Sequence, residues 1–279
     1  MPPDRPRLVA TDLDGTFLRS DGSVSDRSAA VWNALPQHGI ETVIVTARPP
    51  RWLHALEHLV GPRGVVLCGN GAFVYEVAAR RIVESHGFER GSLLGIMDDL
   101  RAVVPGIAFA VEAADGPVVG PGWPDDGDIH RVGGADLADG TVGKLLALAP
   151  ALPTDEFLVT VAQTVGVRGH LAYSGAAGLA EVNPPGVTKA AALAAWCGEL
   201  GIAAGQVWAF GDMPNDLPML RWAGHSFAVV NAHPDVLREA DVTCASNDDD
   251  GVARVLEPLL TGRSHGDRPP RRARTRGDE

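Results

Sequence analysis

Apolar residues gather in short unbroken runs that end on polar side chains. Residues 7–12 (Arg-Leu-Val-Ala-Thr-Asp) form the first, and residues 41–46 and 64–68 repeat the style. Runs apolar on both faces, with no alternation, predict buried parallel strands. Between them, residues 25–38 and 49–60 carry helical patterns, with Ser25 a candidate N-cap and Pro49 where a first helical turn tolerates proline. Strand, helix, strand, helix, strand predicts a doubly wound α/β fold with a Rossmann-like parallel sheet.

The same style returns late in the chain. A helix is predicted over 188–200, a strand over 206–211, a helix over 214–222 and a strand over 226–230. Terminal helices follow near Pro234 and Gly251. The α/β core is therefore expected to be discontinuous, 1–84 joined with 180–262. Residues 85–179 differ: glycine and proline cluster at Pro105-Gly106, Gly116-Pro117 and 120–124, between short strand-like runs at 107–112 and 144–149. That pattern predicts an inserted α+β domain. Residues 263–279 are polar, Pro- and Arg-rich and are expected to be a disordered, solvated end.

Composition narrows the classes. At 279 residues and 45% hydrophobic the chain can bury a full core, and two domains are expected. It has no apolar run of membrane-spanning length, and Met1-Pro-Pro-Asp-Arg5 lacks a secretory pattern, so a cytoplasmic protein is expected. Cys68, Cys197 and Cys244 are scattered and read as reduced core thiols. The net charge of −11 becomes −14 over residues 1–262, since the tail holds six arginines against three acids. Such a chain offers nucleic acid or an anionic membrane no basic groove. An anionic small molecule would need a metal ion and a few chosen side chains, and the chain has only two lysines, Lys144 and Lys189.

Asp12 and Asp14 lie where the first strand runs into Gly15-Thr16. On an extended chain positions i and i+2 share a side, so both carboxylates would face one pocket and repel unless a cation or a proton is shared. One can then act as nucleophile and the other as general acid and base. An Asx turn closing the strand accounts for Asp-x-Asp equally well. Gly211-Asp212-Met-Pro-Asn215-Asp216 follows a second apolar strand and adds oxygen ligands suited to Mg²⁺, although Asn215 and Asp216 could also cap the next helix. Thr46 ends a third strand before a predicted helix N-terminus, a favourable place for an anion, or simply an ST turn. Lys189 opens a helix, the wrong end for a cation in the helix dipole, so a bound phosphate is its natural reason.

Together these four segments resemble the haloacid-dehalogenase-type phosphohydrolase superfamily. Asp12-Leu-Asp-Gly-Thr16 looks like its first motif, Thr46 its second, Lys189 its third and Gly211-Asp212-x-x-Asn215-Asp216 its fourth. The insertion, preceded by Cys68-Gly-Asn-Gly-Ala72, resembles the Cof-type branch with a large α/β cap, and residues 228–232 and 246–253 are similar to that branch's closing segments. The resemblance implies Asp12 as nucleophile and Asp14 as acid and base. It implies Mg²⁺ held by Asp12, the backbone carbonyl of Asp14 and Asp212, with Asp216 in support. Thr46, Lys189 and Asn215 would bind the phosphoryl group, and Asn215 would orient Lys189. Ala47 and Ala190 stand where that branch often has glycine.

The function expected is a Mg²⁺-dependent phosphatase of a small phosphorylated metabolite, a sugar or polyol phosphate, acting through an aspartyl-phosphate with no nucleic-acid or membrane partner. A phosphosugar mutase, which would need phosphate-binding arginines in the insert beyond the scattered Arg90, Arg101, Arg131 and Arg168, and a non-catalytic phospho-ligand module are the rivals. Other features read blandly. His54 and His58 mark a polar helix face; Trp32, Trp52, Trp196, Trp208 and Trp222 read as core; Asp125-Asp-Gly-Asp128 lacks the glutamate of a calcium loop and reads as solvated.

Overall fold

The computed structural model describes residues 5–124, 130–131, 136–173 and 175–261. The solvated loop expected at 125–128, the side chain of Arg131 and the tail expected at 263–279 lie outside them. In chain order the first half of the core contributes β1 (Leu8–Thr11), α1 (Asp26–Ala34), β2 (Glu41–Val45), β3 (Val65–Cys68), β4 (Phe73–Glu76) and β5 (Arg81–Ser85). The insert follows with α2 (Arg90–Val103), β6 (Ala108–Ala113), β7 (Gly116–Val119), β8 (His130–Arg131), β9 (Val142–Leu148), α3 (Thr154–Val165), β10 (His170–Ala172) and β11 (Leu179–Asn183). The chain closes with α4 (Lys189–Glu199), β12 (Val207–Gly211), α5 (Leu217–Trp222), β13 (His225–Val229), α6 (Pro234–Glu239), β14 (Val242–Cys244) and α7 (Gly251–Thr261).

The core sheet has the order β14-β13-β12-β1-β2-β3-β4-β5. Its strands from β14 to β3 are parallel, and β4 and β5 add an antiparallel edge hairpin. The apolar runs fit this because each parallel strand is covered twice. Trp32 of α1 and Leu256 of α7 pack on one face with Val9, Ile44 and Phe210. Leu193 of α4, Met219 of α5 and Val236 of α6 pack on the other with Leu8, Val43 and Ala209. Ser25 caps α1 as expected, its hydroxyl accepting the Ser28 amide.

Residues 49–60 depart from the expected α-helix. They form two 3₁₀ turns, Pro50–Trp52 and His54–Leu59. Leu53, Leu56 and Leu59 are the buried positions, and a spacing of three suits three residues per turn.

The second sheet, β10-β11-β9-β6-β7-β8, is antiparallel except where β7 meets β8. β11 lies inside it, so a core boundary at residue 180 cuts through a strand of the inserted sheet; Leu179–Asn183 pairs with β9 and β10 before the chain returns. Helices cover this sheet on one face only. Phe109, Val111, Leu145, Ala147, Ala180 and Val182 pack against Leu93, Leu100, Phe157 and Val161 of α2 and α3. The alternate residues, including Glu112, Lys144 and Glu181, therefore project from the face without helices. Among the described residues no helix is long and apolar enough to cross a membrane.

Candidate active site

The site assembles where β1 and β12 end side by side. Thr11 is in register with Phe210, and the Asp12 amide extends the pairing by donating to the Phe210 carbonyl at 3.0 Å, which brings Asp12 beside Gly211-Asp212. The chain then turns sharply over residues 13–17, with Gly15 at φ 77°. A Cβ at Gly15 would lie 2.4 Å from Asp212 Oδ2, so only glycine lets this turn close over the acid. Two asparagines brace it: Asn231 donates to the Gly15 carbonyl at 2.8 Å, and Asn247 to that of Leu18 at 2.9 Å. Both lie in the closing segments, where sequence reading had given them no role.

Asp12, Asp212 and Asp216 form a buried cluster whose oxygens lie within 4.8 Å of one another. Lys189, the first residue of α4, is also buried; its ammonium donates to Asp12 Oδ1 at 2.5 Å and to Asp216 Oδ1 at 2.6 Å. The second Asp216 oxygen accepts the amides of Asp212 and Met213, each at 3.0 Å, while Asp212 Oδ1 accepts the Thr16 hydroxyl at 2.6 Å. Asp216 thus positions the loop and the lysine together. Burial pushes the Asp12 carboxyl well up, and Lys189 only partly counters burial and the charges of Asp216 and Asp212. Burial, then Asp216, raises Asp212 to about 6. Lys189 is the reverse case: burial works against its charge, but the two carboxylates win and hold it protonated.

Asp14 lines the same cavity as Asp12, although the turn, rather than an i, i+2 strand alternation, puts it there. Its side chain is 57% exposed and is held in a two-point bridge by Arg48, at 2.8 and 2.6 Å. Thr46 is fully buried; its hydroxyl accepts the Arg48 amide at 3.1 Å. The Thr46-Ala47-Arg48 turn is pinned by Gly69 and Asn70, whose amides donate to the carbonyls of Arg48 and Thr46, each at 2.9 Å. No α-helix follows Thr46, so the anion-favouring helix terminus expected there is absent, displaced by the 3₁₀ turns. Asn215 also differs from expectation. Its amide donates to Asn70 Oδ1 at 3.2 Å and not to any group that orients Lys189, whose direction is set by Asp12 and Asp216. Its Oδ1 is buried without a partner. Facing that way the oxygen cannot hold a phosphoryl oxygen; a half-turn of the amide exchanges acceptor for donor.

A cavity of about 290 Å³ runs from Asp12 and Lys189 past Asp14, Arg48 and Trp52 to Glu112, Lys144 and Glu181 of the insert. Trp52, expected in the core, is 57% exposed at its wall, because the 3₁₀ turn rotates it out with Arg51 stacked over its ring at 5.0 Å. Trp32 and Trp208 are buried as expected. Lys144 and the two glutamates were missed as site residues, and their signal was a lone charge inside each apolar strand, Ala108–Ala113, Val142–Leu148 and Leu179–Asn183. Among the described residues no arginine of the insert lines this cavity; Arg90, Arg101 and Arg168 pair with Asp139, Asp98 and Asp99.

Comparison with known proteins places the chain in a family. The model of the haloacid dehalogenase-like hydrolase family matches residues 9–121 and 135–256, and the chain belongs to that family. Among similar proteins is an HMP-PP phosphatase of Cronobacter sakazakii, 28% identical over 84% of this chain and 87% of its own length. A phosphoglycolate phosphatase of Halorubrum lacusprofundi is 29% identical over 91% of this chain and 97% of its own length. The fold is shared with a phosphatase of the HAD superfamily from Bacteroides thetaiotaomicron, at a TM-score of 0.79 and 22% identity, covering 91% of this chain and 95% of that one. A sugar phosphatase of HAD subclass IIB superposes at a TM-score of 0.76 and 18% identity, covering 90% and 98%. The protein is a phosphoric monoester hydrolase of the haloacid dehalogenase type.

Proposed function

We propose that this haloacid dehalogenase-like hydrolase is a Mg²⁺-dependent phosphatase of small sugar or polyol phosphates that works through a phosphorylated Asp12. The observation that carries the reading is the buried Asp12–Lys189–Asp216 arrangement at the floor of a small cavity whose far wall is the insert. A hard divalent cation fits the donor set. Three buried carboxylates face one ammonium, all ligand atoms are oxygens, and burial, joined by the neighbouring acids, pushes Asp12 and Asp212 up. Asp12, the Asp14 carbonyl and Asp212 would hold Mg²⁺, with Asp216 in support. When bound, the ion neutralises charge on the phosphoryl oxygens.

In this reading an Asp12 oxygen attacks phosphorus while the bond to the leaving oxygen breaks, and Asp14 gives that oxygen its proton. Asp14 then takes a proton from the water that attacks phospho-Asp12, releasing inorganic phosphate and restoring the carboxylate. Lys189 and Thr46 hold the phosphoryl oxygens, joined by Asn215 once its amide turns. Arg48 keeps Asp14 at the cavity wall. Positioning and charge neutralisation are what phosphoryl transfer mainly demands.

The small cavity and the exposed Trp52 ring suit a short hydroxyl-rich leaving group, since an indole face packs against the C–H face of a sugar while its hydroxyls meet polar side chains. Among the described residues the insert brings one cation to the cavity, Lys144, already committed to Glu181 and Ala47, which weighs against a mutase. A screen of sugar, polyol, nucleotide and cofactor phosphates with Mg²⁺ tests the reading. Sugar or polyol phosphates should be hydrolysed, and chelation or Asp12→Asn should abolish it. Full activity in the Asp12→Asn protein would sink it.

A further inference from the structure

Three ionisable groups stand on the helix-free face of the inserted sheet, one on each of the adjacent strands β6, β9 and β11. Glu112 is 5% exposed, Lys144 3% and Glu181 7%. Glu112 and Lys144 are opposite one another in the β6–β9 register. Burying charge on a sheet face that could have been apolar costs several kcal/mol per unpaired ion, so each needs a partner or a purpose. The partners are visible. Lys144 donates to Glu181 at 2.6 Å and to the Ala47 carbonyl of the core at 2.7 Å. Glu181 also accepts Asn70 at 3.2 Å, and Glu112 pairs with Arg51 of the 3₁₀ turn.

All three also line the cavity that ends on Asp12, across from the phosphoryl site. With phosphorus held by Asp12 and Lys189, the rest of a substrate must extend toward this wall. The wall supplies two carboxylates and one ammonium, and that ammonium is already committed to Glu181 and Ala47. Hydroxyl groups can donate to the carboxylate oxygens of the glutamates, each of which accepts more than one hydrogen bond. Among the described residues lining the cavity, a second anionic group meets these carboxylates and only cations that are already paired.

Resting on the proposed phosphatase reading, we infer that Glu112 and Glu181, with Lys144 anchored between core and insert, form a charge filter. It admits phosphomonoesters whose leaving group is an uncharged polyhydroxy alcohol and disfavours those that carry a further carboxylate or phosphate. The filter requires the closed arrangement, because Glu112–Arg51 and Lys144–Ala47 both join insert to core. It also separates this chain's selectivity from that named for its phosphoglycolate phosphatase relative, whose substrate bears a carboxylate.

The test compares glycerol 3-phosphate with 3-phosphoglycerate, which differ at one end by CH₂OH against COO⁻. The wild type should favour the alcohol by about tenfold or more in kcat/KM, since a like charge a few ångströms away in a partly screened site is worth at least that factor. Glu112→Gln frees Arg51, and Glu181→Gln frees Lys144. Each should shift the ratio toward the acid by about tenfold, while a cooperative melting transition reports that the fold survives. A wild type that hydrolyses both substrates equally overturns the filter. So do amide variants that slow both substrates alike, as a merely structural role would. Absence of any Mg²⁺-dependent p-nitrophenyl phosphate hydrolysis that Asp12→Asn removes overturns the phosphatase reading itself, and the filter with it.

Discussion

In the core, Asp12, Lys189, Asp212 and Asp216 share one buried cluster with three carboxylates to one ammonium, whereas on the inserted sheet Glu112, Lys144 and Glu181 each reach an oppositely charged or neutral partner. The core cluster holds more negative than positive charge, and burial, joined by the neighbouring carboxylates, pushes Asp12 and Asp212 up. The insert's charges are compensated, but across the boundary, through Arg51, Ala47 and Asn70. On the proposed reading, the uncompensated charge is where a cation and a phosphoryl group would bind, and the compensated charge on the cavity wall is where a leaving group would be sorted. Buried ionisable residues therefore divide by whether the protein itself completes them.

Acid-to-amide changes probe the difference most sharply. Asp12→Asn should lower phosphatase turnover by about 10⁴-fold, because the attacking oxygen is replaced by a group that cannot form the acyl-phosphate. Comparable losses for Glu112→Gln would erase the distinction between the two regions; steady-state kinetics on a common substrate decides. Lysine removal comes next. Lys189→Met leaves Asp12 and Asp216 facing each other unpaired and should cost about 3–5 kcal/mol in urea unfolding. Lys144→Met should cost less, about 1–3 kcal/mol, because Glu181 keeps the Asn70 amide.

Mg²⁺ should stabilise the wild type by about 2.7 kcal/mol at a hundredfold excess over its dissociation constant. The gain should vanish with a chelator and shrink in Asp212→Asn, both read by thermal melting, while Glu181→Gln retains it. The smallest effect is on pH. The Asp212 carboxyl is raised from its ordinary value to about 6, so folding favours its protonated form. Its contribution to stability is present below the unfolded value near 4 and is lost as pH climbs through 6. Metal-free protein should therefore lose stability across that window. Added Mg²⁺, which favours the ionised form, should reverse the slope, as melting curves from pH 4 to 7 would show.

The sequence alone determined the parallel core, because strands covered on both faces read as near-continuous apolar runs, and residues 8–10, 43–45, 65–68 and 207–210 are such runs. It also placed Asp12, Asp14, Lys189 and Asp212 at the ends of recognisable elements, and the structure brings these four together. It misjudged residues 49–60, where the period-three leucines select 3₁₀ turns and rotate Trp52 to the cavity. It did not foresee the contact of Asn215 with Asn70, because the two are distant in the chain. What only the tertiary structure decided is the far wall. Glu112, Lys144 and Glu181 lie on separate strands, and nothing local links them. They meet because antiparallel pairing sets β6, β9 and β11 side by side, and because helices cover only the opposite face. Local patterning fixes which residues are buried in an element; which buried charges converge is a property of register and of the face left open.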